Sequence, residues 1–320
     1  MNYLNFRVVF VTGMFCSVCI LVSGQEPVPR TAWGDPDLQG LWINDVVTPL
    51  ERPQTIGARE VLTEEELAEA IEANERRQID TGGPRPGDPI LLSGYNHFWI
   101  GERQVSTQTS LVIDPPDGRV PSLTDEGEKW NALAFESSQG VGALDASLRR
   151  NTDGPEGRSL WERCLTRGLP RLPDFYNNNY LILQTPDHVA ILMEMIHEVR
   201  VIPLDRSPHL SQQVRQWLGD SRGWWEGETL VVETTNFSDK TNFKGARENL
   251  RLVERFTRSE SGALLYEVTV DDSTTWTSDW TVRMPFGVSS GDIFEYACHE
   301  GNYAMTNTLA GARAEEAEQR

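Results

Sequence analysis

Between Ile191 and Leu204 the chain reads ILMEMIHEVRVIPL. The run is apolar enough for a buried strand, yet it carries Glu194, His197, Glu198 and Arg200. Histidine is the side chain whose unperturbed proton exchanges near neutral pH, so His197 is a candidate general acid or base, with Glu194 close in sequence. Arg200 offers a guanidinium fork to a carboxylate or another oxyanion, and Glu198 is a second candidate substrate contact. Read as one continuous strand, the stretch puts His197 on a face of apolar residues and Glu194, Glu198 and Arg200 on the other. Both faces are then apolar enough to be buried, which predicts an internal cavity with the charged trio as its lining. The competing reading is structural: a core histidine bonded to a carbonyl, and an ion-pair network.

Two other clusters carry polar groups at close spacing. ACHEGNY holds Cys298, His299 and Tyr303, expected at the end of a last strand. There Tyr303 would join the catalytic set and His299 would contact substrate; the alternative is a turn pinned by a disulfide. DFYNNNY holds Asn178 and Tyr180, candidate substrate contacts or parts of a structured turn. The five histidines show no HExxH or HxH pattern, and the chain has no GxSxG, Walker or strand-linked GxGxxG motif. No metal or cofactor is therefore expected, and serine hydrolysis and nucleotide binding are disfavoured.

The elements that must position these residues follow from pattern. Residues 63–79 form a helix opened by a Thr63–Glu66 capping box. Helices are also expected over about 122–136 and 208–218, the latter with Ser207 as cap, Pro208 in its first position and Gly219 at its end. LQGLWIND and QVSTQTSLVID read as strands. From Asn179 onward, YLILQT, VAILMEMIHEVRVI, TLVVETTNF, LRLVERFTR, ALLYEVTV, DWTVRMPF and IFEYACH are strand-like and separated by short turns. Short connections imply an antiparallel meander. The fold class is thus mainly β with peripheral helices, the meander closing into a barrel-like or strongly curved sheet, with a two-sheet sandwich as the competing architecture. Residues 25–312 read as one β-rich domain and 313–320 as a charged tail.

Composition bounds the partners. The 320 residues carry 29 basic and 48 acidic side chains, a net charge of −19. Such a surface repels phosphate backbones and anionic lipid, so no nucleic-acid partner is expected. Arg7, the apolar run that follows it, and Val22-Ser23-Gly24 read as a signal peptide over residues 1–24, cleaved before Gln25. That predicts a periplasmic or secreted protein with no stable membrane insertion after cleavage. Cys16 and Cys19 leave with the signal. Cys164 and Cys298 remain and suggest one disulfide, the alternative being two buried thiols.

Several longer stretches, among them RCLTRGLPR, NNNYLILQTPDHVAILMEMIHEVRVIPLD, QWLGDSRGWWEGETLVVETTNFSDKTNF and FEYACHEGNY, resemble a large family of exported, mostly uncharacterised proteins of acidobacteria and proteobacteria. The resemblance implies export and little else. Gly40-x-Trp42 on the first strand, with the meander, adds a weaker likeness to lipocalin-like barrels, which implies a central ligand pocket. The resulting expectation is an exported protein that takes a small-molecule ligand in an internal pocket. Acid/base chemistry by a lyase, isomerase or hydrolase leads, ahead of a lipocalin-like binder or a structural envelope protein.

Overall fold

The computed structural model describes residues 28–80, 104–132, 152, 154–173, 176–259 and 262–320. The signal-peptide reading therefore lies outside the described residues. Among the described residues, ten antiparallel strands form a nearly closed, barrel-shaped sheet with three helices around it, as the alternating pattern predicts. The strands are β1 (Gly40–Ile43), β2 (Val112–Asp114), β3 (Asn179–Gln184), β4 (His188–Met193), β5 (Glu198–Pro203), β6 (Asp220–Glu226), β7 (Thr229–Thr235), β8 (Arg251–Arg258), β9 (Leu264–Asp271) and β10 (Trp280–Val288). Their order is β5-β4-β3-β1-β10-β9-β8-β7-β6, with β2 added on β10. Among the described residues, no helix is long and apolar enough to cross a membrane.

Period-two alternation fills the interior. β9 turns Leu264, Tyr266, Val268 and Val270 inward, and β10 turns Trp280, Val282, Met284 and Phe286 inward. β5 and β6 are the two ends of the sheet order, and side chains join them. A Cβ on Gly223 of β6 would stand 2.8 Å from both Ile202 Cγ2 and Leu204 Cδ2, so the bare glycine lets β5 close onto β6. Gly223→Val is expected to prise this seam and lower stability by about 1–3 kcal/mol. A urea titration checks it, and an unchanged midpoint would remove the seam from the account.

The two ends of the barrel differ. At one end Trp42, 2 % exposed, donates from Nε1 to Leu38 O at 2.9 Å. The Arg258 guanidinium, at the end of β8, lies over its ring at 5.4 Å. Gln184 Oε1 accepts from Leu38 N at 2.6 Å, and its Nε2 donates to Pro36 O at 3.1 Å. Residues 36–38 are thereby laid across this end. Strand polarity puts the β4–β5 connection, the end of β7 and the start of β8 at the opposite end. There α2 (Asp125–Asn131) seats on the turn before β10. A Cβ on Gly127 would fall 2.2 Å from Thr275 O, so the glycine that weakens the helix is what lets it dock.

Several expected elements differ. ILMEMIHEVRVIPL is a hairpin: β4 stops at Met193, Met195–His197 forms a 3-10 turn, and β5 resumes at Glu198. Ile196 and His197 take φ of 64° and 46°, left-handed values that break the strand. The outer faces are also more exposed than expected, with Leu183, Val199 and Val201 each more than half accessible. The 208–218 stretch is irregular. Asn236 Nδ2 donates to the carbonyls of Leu210, Ser211 and Val214 at 3.0, 3.1 and 3.2 Å, taking acceptors that a helix would use. α1 (Glu64–Asp80) has its capping box: Thr63 N donates to Glu66 Oε2 at 2.8 Å, and Glu66 N to Thr63 Oγ1 at 3.2 Å. α2 is shorter than 122–136. IFEYACH forms no strand, and α3 (Tyr303–Glu318) runs through most of the expected tail. QVSTQTSLVID pairs with β10 only over Val112–Asp114.

Candidate functional site

The residues singled out in the sequence fall mainly in two places, and a third carries a pocket. The first is the barrel interior. Arg200, 5 % exposed, donates from Nε to Ser221 Oγ at 2.9 Å and from Nη1 to Glu254 Oε1 at 3.0 Å, while Nη2 contacts Thr234 Oγ1 and Glu254 Oε2. Tyr266 Oη donates to Glu254 Oε1 at 3.0 Å. Burial, and then the Glu254 charge, push the Tyr266 phenol well above its ordinary range. Tyr180, also buried, accepts at Oη from Asn44 Nδ2 at 3.2 Å and from Arg171 Nε at 3.4 Å. Arg200 and Tyr180 border a cavity of about 20 Å³, room for a single water. Around Arg200 and Glu254 the interior is thus a hydrogen-bonded polar network in an apolar shell, and this cavity is too small for an organic ligand.

The second place is the β4–β5 turn, which clasps the C-terminal segment. Glu194, 1 % exposed, accepts from Asn179 Nδ2 at 2.8 Å and from Phe294 N at 3.1 Å. His197 is exposed, and its Nδ1 lies 2.9 Å from Tyr296 O, so Nδ1 carries the proton and donates. Two residues further on, Cys298 forms the expected disulfide with Cys164, with the Cα atoms 5.7 Å apart. Asn302 Nδ2 donates to Glu162 O at 3.0 Å, and Arg313 Nη2 of α3 to Thr152 O at 2.8 Å. His299 is exposed, and Tyr303, at the start of α3, is 73 % exposed. Asn178 is buried and supplies its carbonyl to Asn44 N at 3.1 Å. The turn, the disulfide and the C-terminal segment together fasten residues 154–164 at this end of the barrel.

The third place is what that fastening builds, an open pocket of about 550 Å³. One wall is residues 156–169 and the other is residues 237–250, the connection between β7 and β8. Leu169 lines both this pocket and the small interior cavity, and so separates the two. Phe237 and Leu250 are almost wholly buried and contribute apolar floor, and Trp217 adds a ring. The first wall is shaped by a second capping box, Ser159-Leu-Trp-Glu162. Ser159 N donates to Glu162 Oε2 at 3.2 Å and Glu162 N to Ser159 Oγ at 3.2 Å. The turn presents Trp161 and Arg163 to the pocket. Glu198 stands behind this wall: its Oε2 accepts from Arg167 N at 3.2 Å, and burial raises its carboxyl above the usual range against the opposing bonds from Thr166 and Arg167.

Guanidinium–indole stacks set the rest of the pocket. Arg167 lies over the Trp161 ring at 4.4 Å, and Arg247 over the Trp130 ring at 3.7 Å. Arg247 Nε also donates to Asp239 O at 2.8 Å. None of the sequence candidates is in the described lining of this pocket; Glu198 and Cys164 brace its first wall. The sequence did carry a signal for it. Residues 158–171 hold four arginines, Arg158, Arg163, Arg167 and Arg171, in a chain of net charge −19, and SLWE there has capping-box spacing. Among the described residues, no group of three or more His, Cys, Asp or Glu side chains is placed to hold a metal.

Fold and site together define an antiparallel barrel plugged at one end and bearing a ligand-sized pocket at the other. No family model, curated protein or solved structure matches the chain.

Proposed function

We propose that this is an exported small-molecule-binding protein whose site is the pocket between residues 156–169 and 237–250. The observation that carries the reading is the contrast in volume. The pocket measures about 550 Å³, within the range of organic-ligand sites, against about 20 Å³ inside the barrel. Its walls are fixed by a disulfide and two guanidinium–indole stacks, which lowers the ordering cost of binding. Binding is favoured over acid/base turnover because the described lining has no histidine, and Glu194, His197 and Tyr303 lie elsewhere. Export is supported by the apolar N-terminal run and by a disulfide of the kind kept in oxidising compartments. The resemblance to exported bacterial proteins fits the same reading.

Screening small molecules by thermal shift tests the proposal. A ligand at a hundred times its Kd stabilises by about 2.7 kcal/mol, which a melting curve resolves. Hits should stabilise the native protein and lose their effect in Leu160→Trp, which adds bulk to the lining. Hits that stabilise Leu160→Trp equally well would place binding elsewhere and overturn the proposal.

A further inference from the structure

We infer that the ligand is an organic anion: an acidic group, carboxylate or sulfonate in type, on an apolar, ring-bearing body. The inference rests on the pocket reading above and deepens it. Five cationic side chains line the pocket: Arg158, Arg163, Arg167, Lys240 and Arg247. Among the described residues, two carboxylates do so, Glu156 and Asp239. The lining is thus net positive in a chain whose net charge is −19. A local reversal of sign against the field of the whole protein attracts anions to that site.

The cations are not all engaged by the protein. Arg158 pairs with Glu162, Arg167 and Arg247 stack on indoles, and Arg247 also binds the Asp239 carbonyl. Among the described residues, the side chains of Arg163 and Lys240 have neither a hydrogen bond nor an ion pair. They come from the two different walls, Arg163 from the Ser159–Glu162 turn and Lys240 from the β7–β8 connection. Two such charges facing one cavity are met by a single acidic group bound between the walls, through charge-assisted hydrogen bonds. The floor sets the rest of the ligand. Leu169, Phe237, Leu250 and Trp217 offer apolar surface that a bare inorganic anion would not cover, whereas a ring would.

Two dyes with the same ring system and different charge test this. Anilinonaphthalene sulfonate carries the acidic group, and phenylnaphthylamine lacks it. Fluorescence titration of the intact protein should show the sulfonate binding at least about tenfold more tightly. Arg163→Gln combined with Lys240→Gln should remove that advantage while leaving phenylnaphthylamine affinity and the melting temperature unchanged. Arg163→Lys should keep most of it, and added salt should weaken the sulfonate alone. If both dyes bind equally and the double substitution alters neither, the anion inference fails while the pocket reading stands. A sulfonate signal that survives both the double substitution and Leu160→Trp is binding elsewhere and overturns the inference. If the folded protein binds neither dye, both readings fall.

Discussion

Replacing Arg200 with methionine is expected to lower the unfolding free energy by about 3–5 kcal/mol. The guanidinium is buried and joins four strands: its own β5, Ser221 on β6, Thr234 on β7 and Glu254 on β8. Without it the Glu254 carboxylate, 2 % exposed, keeps only the Tyr266 hydroxyl among these partners and becomes an uncompensated charge in an apolar interior. Removing both charges, Arg200→Met with Glu254→Leu, should recover a large part of the loss, because the cost lies mainly in the stranded partner. Urea titrations of the single and double substitutions check this. Anilinonaphthalene sulfonate affinity should not change in the double variant. Unchanged stability in Arg200→Met with loss of ligand binding would instead make Arg200 a ligand contact.

The second large effect is expected from the disulfide. Cys164 and Cys298 are 134 positions apart, and opening so long a loop in the unfolded chain should cost about 4–5 kcal/mol. The loss should also be functional. Cys164 belongs to the segment that forms one pocket wall, and Cys298 to the strap clasped by Glu194 and His197. Cys164→Ser with Cys298→Ser should therefore weaken sulfonate binding more than any single substitution on the outer barrel face. Equal affinity in the disulfide-free protein would show that the wall is held by other contacts.

The barrel was legible because its signal is local and repeated. β8, β9 and β10 alternate apolar and polar residues along their length, and β6–β7 and β8–β9 are joined by short turns, so period and connection length both point to an antiparallel meander. The disulfide was legible by arithmetic once the signal peptide was set aside. The β4–β5 turn was not, because MEMIHE contains none of Gly, Pro, Asn or Asp. Its left-handed residues are an isoleucine and a histidine, held there by tertiary bonds. The 208–218 stretch misled for a related reason. Its cap, proline and apolar stripe are genuine helix signals, yet Asn236, more than twenty residues away, binds three of its carbonyls. The proposed pocket is not among the sequence candidates because those were chosen where ionisable residues interrupt an apolar strand. There they serve the fold, with Arg200 crossing the barrel and Glu194 and His197 holding a strap. The pocket residues carry no catalytic motif, although four arginines between 158 and 171 in an acidic chain mark one of its walls.

The central claim is that the ligand binds at the barrel end bordered by Trp130, Trp161 and Trp217 and not inside the barrel. Indole N–H resonances of the protein's ten tryptophans test it most directly, with anilinonaphthalene sulfonate added in steps to nitrogen-labelled protein. The signals of Trp130, Trp161 and Trp217 are expected to move together along one binding curve while those of the core residues Trp42, Trp276 and Trp280 stay in place. Movement of Trp42 and Trp280 with the three pocket signals fixed would put the ligand inside the barrel and contradict it.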